Sequence, residues 1–245
     1  MRVALFIPCY IDQFYPQVAI ATLQLLEKLG VSVEFPINQT CCGQPMANAG
    51  FEVMTKDVNE LFIDNFNEFD FIVSPSGSCV LHVKHHLKSV SRHEQAKIIQ
   101  NRTYELTEFL TDILKITALN SRFPYAVGLH QSCHGQRGLM LSQMSEIVGP
   151  AFSKAEVLLN MVEDLRLISL DRKDECCGFG GTFCVTEEAV SVKMGKDRVK
   201  DHLAHGVEVI TGSDMSCLMH MEGILRRQGS HVKVAHIAEI LNATS

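Results

Sequence analysis

Glu175-Cys176-Cys177-Gly178-Phe179-Gly180-Gly181-Thr182-Phe183 decides how this chain is read, together with a weaker echo, Thr40-Cys41-Cys42-Gly43-Gln44-Pro45. Neighbours on a strand face opposite ways, so two adjacent cysteines cannot both enter an apolar core from one regular element. On a turn both sulfurs point at one object. Gly178, Gly180 and Gly181 permit a tight backbone there and leave amide N–H groups free to approach that object. A metal centre fits. Two buried thiols acting as small hydrophobes would account for one isolated pair, but the pair occurs twice.

Outward from the two pairs, the same order of elements appears in each half. Arg2–Pro8 reads as a strand delivering Cys9, and Pro16–Leu29 as a helix with Val18, Ala21, Leu25 and Leu29 on one face. Gly30 ends it, and a strand from Val31 to Pro36 leads to Cys41-Cys42. A second helix begins near Asp57, and the strand Asp70–Ser74 opens into the loop of Cys79. The second half repeats this: strand Tyr125–Leu129 before Cys133, helix Ser153–Met161, strand Leu165–Leu170 before Cys176-Cys177. A helix capped by Thr186 follows, with Val192, Val199 and Leu203 inward, then strand Val207–Thr211 before Cys217 and a last helix at His236–Leu241. Strands alternating with helices predict an α/β protein of two pseudo-symmetric halves, each with a parallel Rossmann-like sheet. The helical, charged stretch Leu87–Phe123 separates them, which predicts halves of 1–120 and 121–245. A period of about 125 residues is too long for a solenoid.

The spacings are Cys9-x31-Cys41-Cys42-x36-Cys79 and Cys133-x42-Cys176-Cys177-x39-Cys217. Each cysteine falls just past the carboxyl end of an expected strand, where open α/β sheets place their ligand sites. Three loops from one sheet edge thus offer four thiolates in each half, a set that suits a tetrahedral zinc ion or an iron–sulfur cluster. Neither the C-x2-C knuckle of zinc sites nor a ferredoxin-type run occurs. The glycine-rich surroundings of Cys133, Cys176, Cys177 and Cys217 make the second set the main candidate, with Cys9, Cys41, Cys42 and Cys79 as a second centre or as the substrate side of a single one.

Composition narrows the function classes. A formal charge of −6 and no Lys/Arg run argue against a nucleic-acid surface. No apolar run reaches the ~18 residues of a membrane span, and Val3–Ile7 is shorter than a signal-peptide core of about 7–15 residues. A cytoplasmic protein is expected. Nine cysteines in a reducing compartment point to metal or thiol chemistry rather than a disulfide framework. No G-x-G-x-x-G follows the first strand, so no dinucleotide site of that kind is expected.

The two CCG pairs, Cys9 in Ile7-Pro8-Cys9-Tyr10, Pro75-Ser76-Gly77-Ser78-Cys79, Ser132-Cys133-His134-Gly135 and Ser213-Asp214-Met215-Ser216-Cys217 resemble the cysteine-rich CCG-domain family over nearly the whole chain. That family includes the iron–sulfur subunit of glycolate oxidase and the B subunit of heterodisulfide reductase. The resemblance implies an iron–sulfur centre of the [4Fe–4S] kind on Cys133, Cys176, Cys177 and Cys217. For a free-standing chain of this size, it implies a redox subunit of a multi-protein system that oxidises L-lactate or a related 2-hydroxy acid. A ferredoxin-type iron–sulfur protein is the partner so implied. The chain departs from the heterodisulfide reductase pattern, because Ser76 and Asp214 stand where a C-x2-C pair would supply a fifth thiolate. A zinc-stabilised scaffold and a thiol–disulfide reductase subunit are the alternative functions.

Other residues carry weaker expectations. Cys184 reads as a structural thiol, and His130 and His134 as possible neighbours of a centre at Cys133. His82, His85 and His86 are expected on a solvated helix face, Asp214 as a helix cap, and Met215, Met219 and Met221 as core filling. Gly180 and Gly181 are expected to offer N–H groups to the sulfurs.

Overall fold

The computed structural model describes residues 1–244. The first half runs β1 (Val3–Leu5), α1 (Cys9–Phe14), α2 (Pro16–Lys28), β2 (Val33–Glu34), α3 (Gln44–Asn48), α4 (Lys56–Phe66), β3 (Phe71–Ser74), α5 (Gly77–His86), α6 (His93–Arg102), β4 (Thr103–Glu105) and α7 (Leu106–Glu108). The second runs β5 (Ala126–Leu129), α8 (Lys154–Leu159), β6 (Arg166–Ile168), α9 (Phe183–Thr186), α10 (Glu188–Ala204), β7 (Val209–Gly212), α11 (Met215–Arg227), β8 (Lys233–His236) and α12 (Ile237–Asn242). Both sheets are wholly parallel, in the orders β2-β1-β3-β4 and β6-β5-β7-β8. Each is therefore a Rossmann-like α/β unit with its strand order reversing beside the first strand.

The central strands form because they are short, apolar and covered on both faces, as parallel sheets require. Val3, Ala4 and Leu5 are buried, as are all four residues of β5 and of β7. One apolar cluster extends from Val3 through both sheets to Leu241, so the halves share a core. They meet through matched pairs: α2 packs on α12, and α7 on α8.

Four strands per half were observed where three were expected. β4 (Thr-Tyr-Glu) and β8 (Lys-Val-Ala-His) are short and carry polar residues, so neither has the apolar pattern that marks a buried strand. The helix after Cys177 also differs from its expectation. Thr186 ends the four-residue α9 instead of capping, and Glu187 stands before α10. Of its expected inward stripe, Val199 is buried, Val192 only half-buried, and Leu203 is 40% exposed. Ser191, Gly195, Arg198, Asp201 and His202 face inward instead. The buried face of α10 is polar, which an apolar-periodicity reading cannot find.

Candidate metal centre

The same local construction places the cysteines in both halves. Cys9 opens α1 after β1, and Cys133 follows β5. Cys41-Cys42 and Cys176-Cys177 follow the second strands, each pair ending in a left-handed glycine, Gly43 at φ +88° and Gly178 at φ +85°. That conformation turns the glycine N–H back onto the preceding sulfur: Gly43 N lies 3.4 Å from Cys41 Sγ, and Gly178 N 3.3 Å from Cys176 Sγ. Cys79 and Cys217 occupy the first turns of α5 and α11, at the N-termini of helices that follow the third strands. All eight line one cavity of about 340 Å³ between the halves. Tyr10, Phe179, His134, Ser76 and Asp214 line it too.

Each tetrad is a chain of interacting sulfurs. Cys9 donates its S–H to Cys41 Sγ at 3.8 Å. The neighbouring Cys42 and Cys9 thiols and the Gly43 N–H push Cys41 well below an ordinary thiol. Cys133, Cys177 and the Gly178 N–H do the same for Cys176. The donors shift the other way: Cys9, Cys42, Cys133 and Cys177 are raised by the thiolate they face and by burial. Each tetrad thus gathers four thiols of unequal acidity, which give up their protons when a metal binds. This donor set fits a thiolate-ligated centre in either half.

Cys184 stands outside both tetrads. It is half-buried, donates to Gly181 O at 3.1 Å and packs at the edge of the core. His134 lines the cavity. His130 is 2% exposed, and one of its ring nitrogens lies within 4.8 Å of the Cys177 and Cys217 sulfurs. His85 and His86 are exposed as expected, but His82 is buried at 3%, stacked on His86 and facing Gly43. Its position on the buried side of α5 overrides the polarity of its neighbours. Met215 and Met221 are buried, and Met219 packs against the same core. Gly180 and Gly181 adopt positive φ and line the cavity, while the glycine N–H groups that meet sulfur are those of Gly43 and Gly178, with the Tyr10 and Phe179 N–H groups acting on Cys9 and Cys177.

Asp214 occupies the N-cap position of α11 without capping it. Its Oδ1 accepts from Ser76 Oγ at 2.8 Å and from Ser78 N at 3.0 Å, across the pseudo-twofold axis. Ser76 in turn caps α5 by accepting from Cys79 N. The two residues at the missing fifth-thiolate positions thus bind each other and tie the Cys79 loop to the Cys217 loop.

Buried titratable groups give the protein a pH signature. Burial holds His82 near 4, His130 near 3, His202 near 2 and His236 near 4. Unfolded, each would titrate near 6.5. Below about pH 6.5 the unfolded chain takes up protons that the fold refuses, so these groups withdraw stability as pH falls. Glu105 acts in the opposite sense. It is fully buried and raised to about 8 by burial, so the folded state keeps a proton that the unfolded state loses near 4.3. Its contribution declines as pH rises through that window. Glu105→Gln keeps an acceptor for Thr107 N and Glu108 N, bonds that Oε2 makes now. The variant is expected to gain on wild type by a few kcal/mol between pH 5 and pH 8, in urea midpoints of the metal-free protein. An equal difference at both pH values would remove the burial argument.

Among the described residues, no helix is long and apolar enough to cross a membrane. Comparison with known proteins agrees with the duplicated site. The family model described as "Cysteine-rich domain" (CCG) matches twice, at residues 3–84 and 127–222. Lactate utilization protein A of Macrococcus caseolyticus is 40% identical over 99% of this chain and 96% of its own. The protein of that name from Exiguobacterium sp. is 41% identical over 98% and 97%, and that from Halalkalibacterium halodurans 39% over 99% and 97%. A hypothetical protein from Helicobacter pylori, of solved structure, matches the fold with a TM-score of 0.61 at 13% identity, over 98% of this chain and 48% of that one. Two CCG turns in two like sheets, matched twice by one model and end to end by these relatives, place the chain in the cysteine-rich CCG-domain family.

Proposed function

We propose that this chain is an iron–sulfur redox subunit of a multi-protein system that oxidises L-lactate or a related 2-hydroxy acid to the 2-oxo acid. The observation that carries the proposal is the pair of cysteine tetrads opening onto one cavity. The name shared by its full-length relatives supports lactate as the substrate. Cys133, Cys176, Cys177 and Cys217 would hold one centre within residues 121–245, and Cys9, Cys41, Cys42 and Cys79 a second within 1–120. When bound, a [4Fe–4S] centre in each tetrad supplies one-electron storage, and two such centres match the two electrons removed from a 2-hydroxy acid. The chain's own part is to hold the thiolates, to fix the two loops through Ser76 and Asp214, and to wall the cavity with Tyr10 and Phe179. Electrons would leave to a ferredoxin-type partner subunit, in the cytoplasm.

Zinc is the second reading, and one distance favours it. The 3.8 Å between the Cys9 and Cys41 sulfurs equals the edge of a tetrahedron with Zn–S bonds of about 2.3 Å. Against it, a structural zinc site is closed by its four ligands, whereas here the sulfurs border open volume.

Anaerobic purification with iron, sulfide and zinc analysis and low-temperature EPR separates the two. Iron and sulfide are expected, and Cys176→Ser with Cys177→Ser is expected to abolish the share held by the second half. Stoichiometric zinc with no EPR signal in either oxidation state would sink the redox reading.

A further inference from the structure

The surroundings of the two tetrads differ at three matched buried positions. In the first half, Phe6, three residues before Cys9, packs edge-on against Phe62 and Phe66 of α4, with ring centroids 5.0 and 5.7 Å away. In the second half, the residue three before Cys133 is His130. Below Gly43 the wall is Thr55, at the start of α4, and below Gly178 it is Ser191 of α10. Seven and eleven residues further along, α4 presents Phe62 and Phe66, and α10 presents Arg198 and His202. The trio Phe6, Phe62, Phe66 has become His130, Arg198, His202. All six are buried, Arg198 and His202 at 0% exposure.

The polar trio is wired. Arg198 Nε donates to His130 Nδ1 at 3.2 Å. The other N–H groups of Arg198 bind Leu129 O, Arg172 O and Asp201 Oδ2, at 3.2, 2.6 and 3.0 Å. A nitrogen that accepts carries no proton, so the hydrogen of neutral His130 sits on Nε2. Nε2 is buried and has no partner among the described residues. With Nδ1 occupied, it is the nitrogen left to meet the Cys177 and Cys217 sulfurs. A protonated Nε2 has no lone pair for a metal, so His130 can donate to a centre there but cannot ligate it. His82 and His220, each three residues after the last cysteine of its tetrad, differ in partner: His220 faces Ser191 O at 3.3 Å, whereas His82 Nε2 is buried without a partner among the described residues. Unlike His130, His82 forms no close group with two cysteine sulfurs there.

We propose that His130, oriented by Arg198, donates an N–H bond to the centre of the second half and places its reduction potential above that of the first. With both sites filled, the downhill direction for an electron would be from the Cys9, Cys41, Cys42 and Cys79 site toward the Cys133, Cys176, Cys177 and Cys217 site. The physical reason is that reduction adds negative charge. An N–H donor held toward the sulfurs stabilises that charge, and a phenylalanine ring in the matching place does not. The inference rests on the iron–sulfur reading above.

The test is an anaerobic, EPR-monitored redox titration of two backgrounds, one with Cys41→Ser and Cys42→Ser, the other with Cys176→Ser and Cys177→Ser. Each leaves one centre to read. The second-half centre is expected to titrate at the higher potential. His130→Phe, which copies Phe6, is expected to weaken its reduction about tenfold, or about 59 mV for one electron. His130→Gln, which keeps a donor and an acceptor, is expected to restore most of the loss. An unmoved second-half midpoint in His130→Phe, or a shift that His130→Gln fails to reverse, would overturn the proposal. Should His130→Phe fail to fold, pulsed EPR on 15N-histidine-labelled protein in the background lacking the first tetrad decides. A weak nitrogen coupling with an exchangeable proton is expected, and its absence, or a strong coupling from direct ligation, overturns the proposal. Protein without iron and sulfide in either background would instead defeat the iron–sulfur reading itself.

Discussion

Arg198→Met is expected to cost on the order of 3–5 kcal/mol of stability, the usual penalty for removing one partner of a buried ion pair. Arg198 and Asp201 form such a pair at 3.0 Å, with side chains 0% and 3% exposed. Methionine fills much of the volume but offers no donor. Asp201 would keep its backbone donors from Asp171 and Arg172 and its neighbour His205 but lose the guanidinium, and Leu129 O, Arg172 O and His130 Nδ1 would each lose an N–H. The sum exceeds what apolar contact returns, because the unpaired groups remain away from water. Thermal unfolding of the metal-free variant should begin on the order of 10 °C lower than in wild type. A loss below about 1 kcal/mol would mean that water reaches this network, and the buried-pair account would fail.

Gly178→Ala is expected to be the second large effect, and Gly43→Ala supplies its internal control. Both glycines lie in the left-handed region, where a side chain costs roughly 1–2 kcal/mol. Space divides them. A Cβ on Gly178 would lie 2.6 Å from Ser191 O and 2.7 Å from Met194 Cβ, so α10 would have to shift. On Gly43 its nearest neighbour would be Thr55 Cγ2 at 3.4 Å, an ordinary contact. Overpacking adds about 1–3 kcal/mol at Gly178 alone. Urea unfolding should therefore place Gly178→Ala at least about 1 kcal/mol below Gly43→Ala. Equal losses would show that α10 yields, and that backbone conformation is the whole cost at both turns. The turn also holds an N–H against Cys176 Sγ, so Gly178→Ala is expected to weaken metal retention in the second half more than Gly43→Ala does in the first.

The sequence was informative wherever a residue's chemistry is tied to chain position. β1, β3, β5 and β7 carry apolar runs that a buried parallel strand must have, and all four were legible within one to three residues at their ends. The two CCG turns were legible because adjacent cysteines followed by glycine have few other uses. Their place beyond strand ends follows from parallel topology, in which each crossover delivers its loop to the same sheet edge. β4 and β8 were not legible, since three or four mixed residues at a sheet edge carry no periodicity. Asp214 was legible as an N-cap position, but its bond to Ser76, 138 residues away, was not.

Residues alone thus determined two Rossmann-like units, each with four cysteines gathered at its carboxyl edge. Tertiary structure alone decided that both tetrads open onto one cavity, because that depends on how α2 meets α12 and α7 meets α8. It alone decided that the inner face of α10 is polar. An arginine or histidine in a helix reads as a solvated residue until a partner from another element meets it, and Leu129, the last residue of β5, and His130 just after it lie 69 and 68 residues earlier in the chain. Spacing reports what one segment can do by itself, whereas burial of a charge depends on what the fold brings against it.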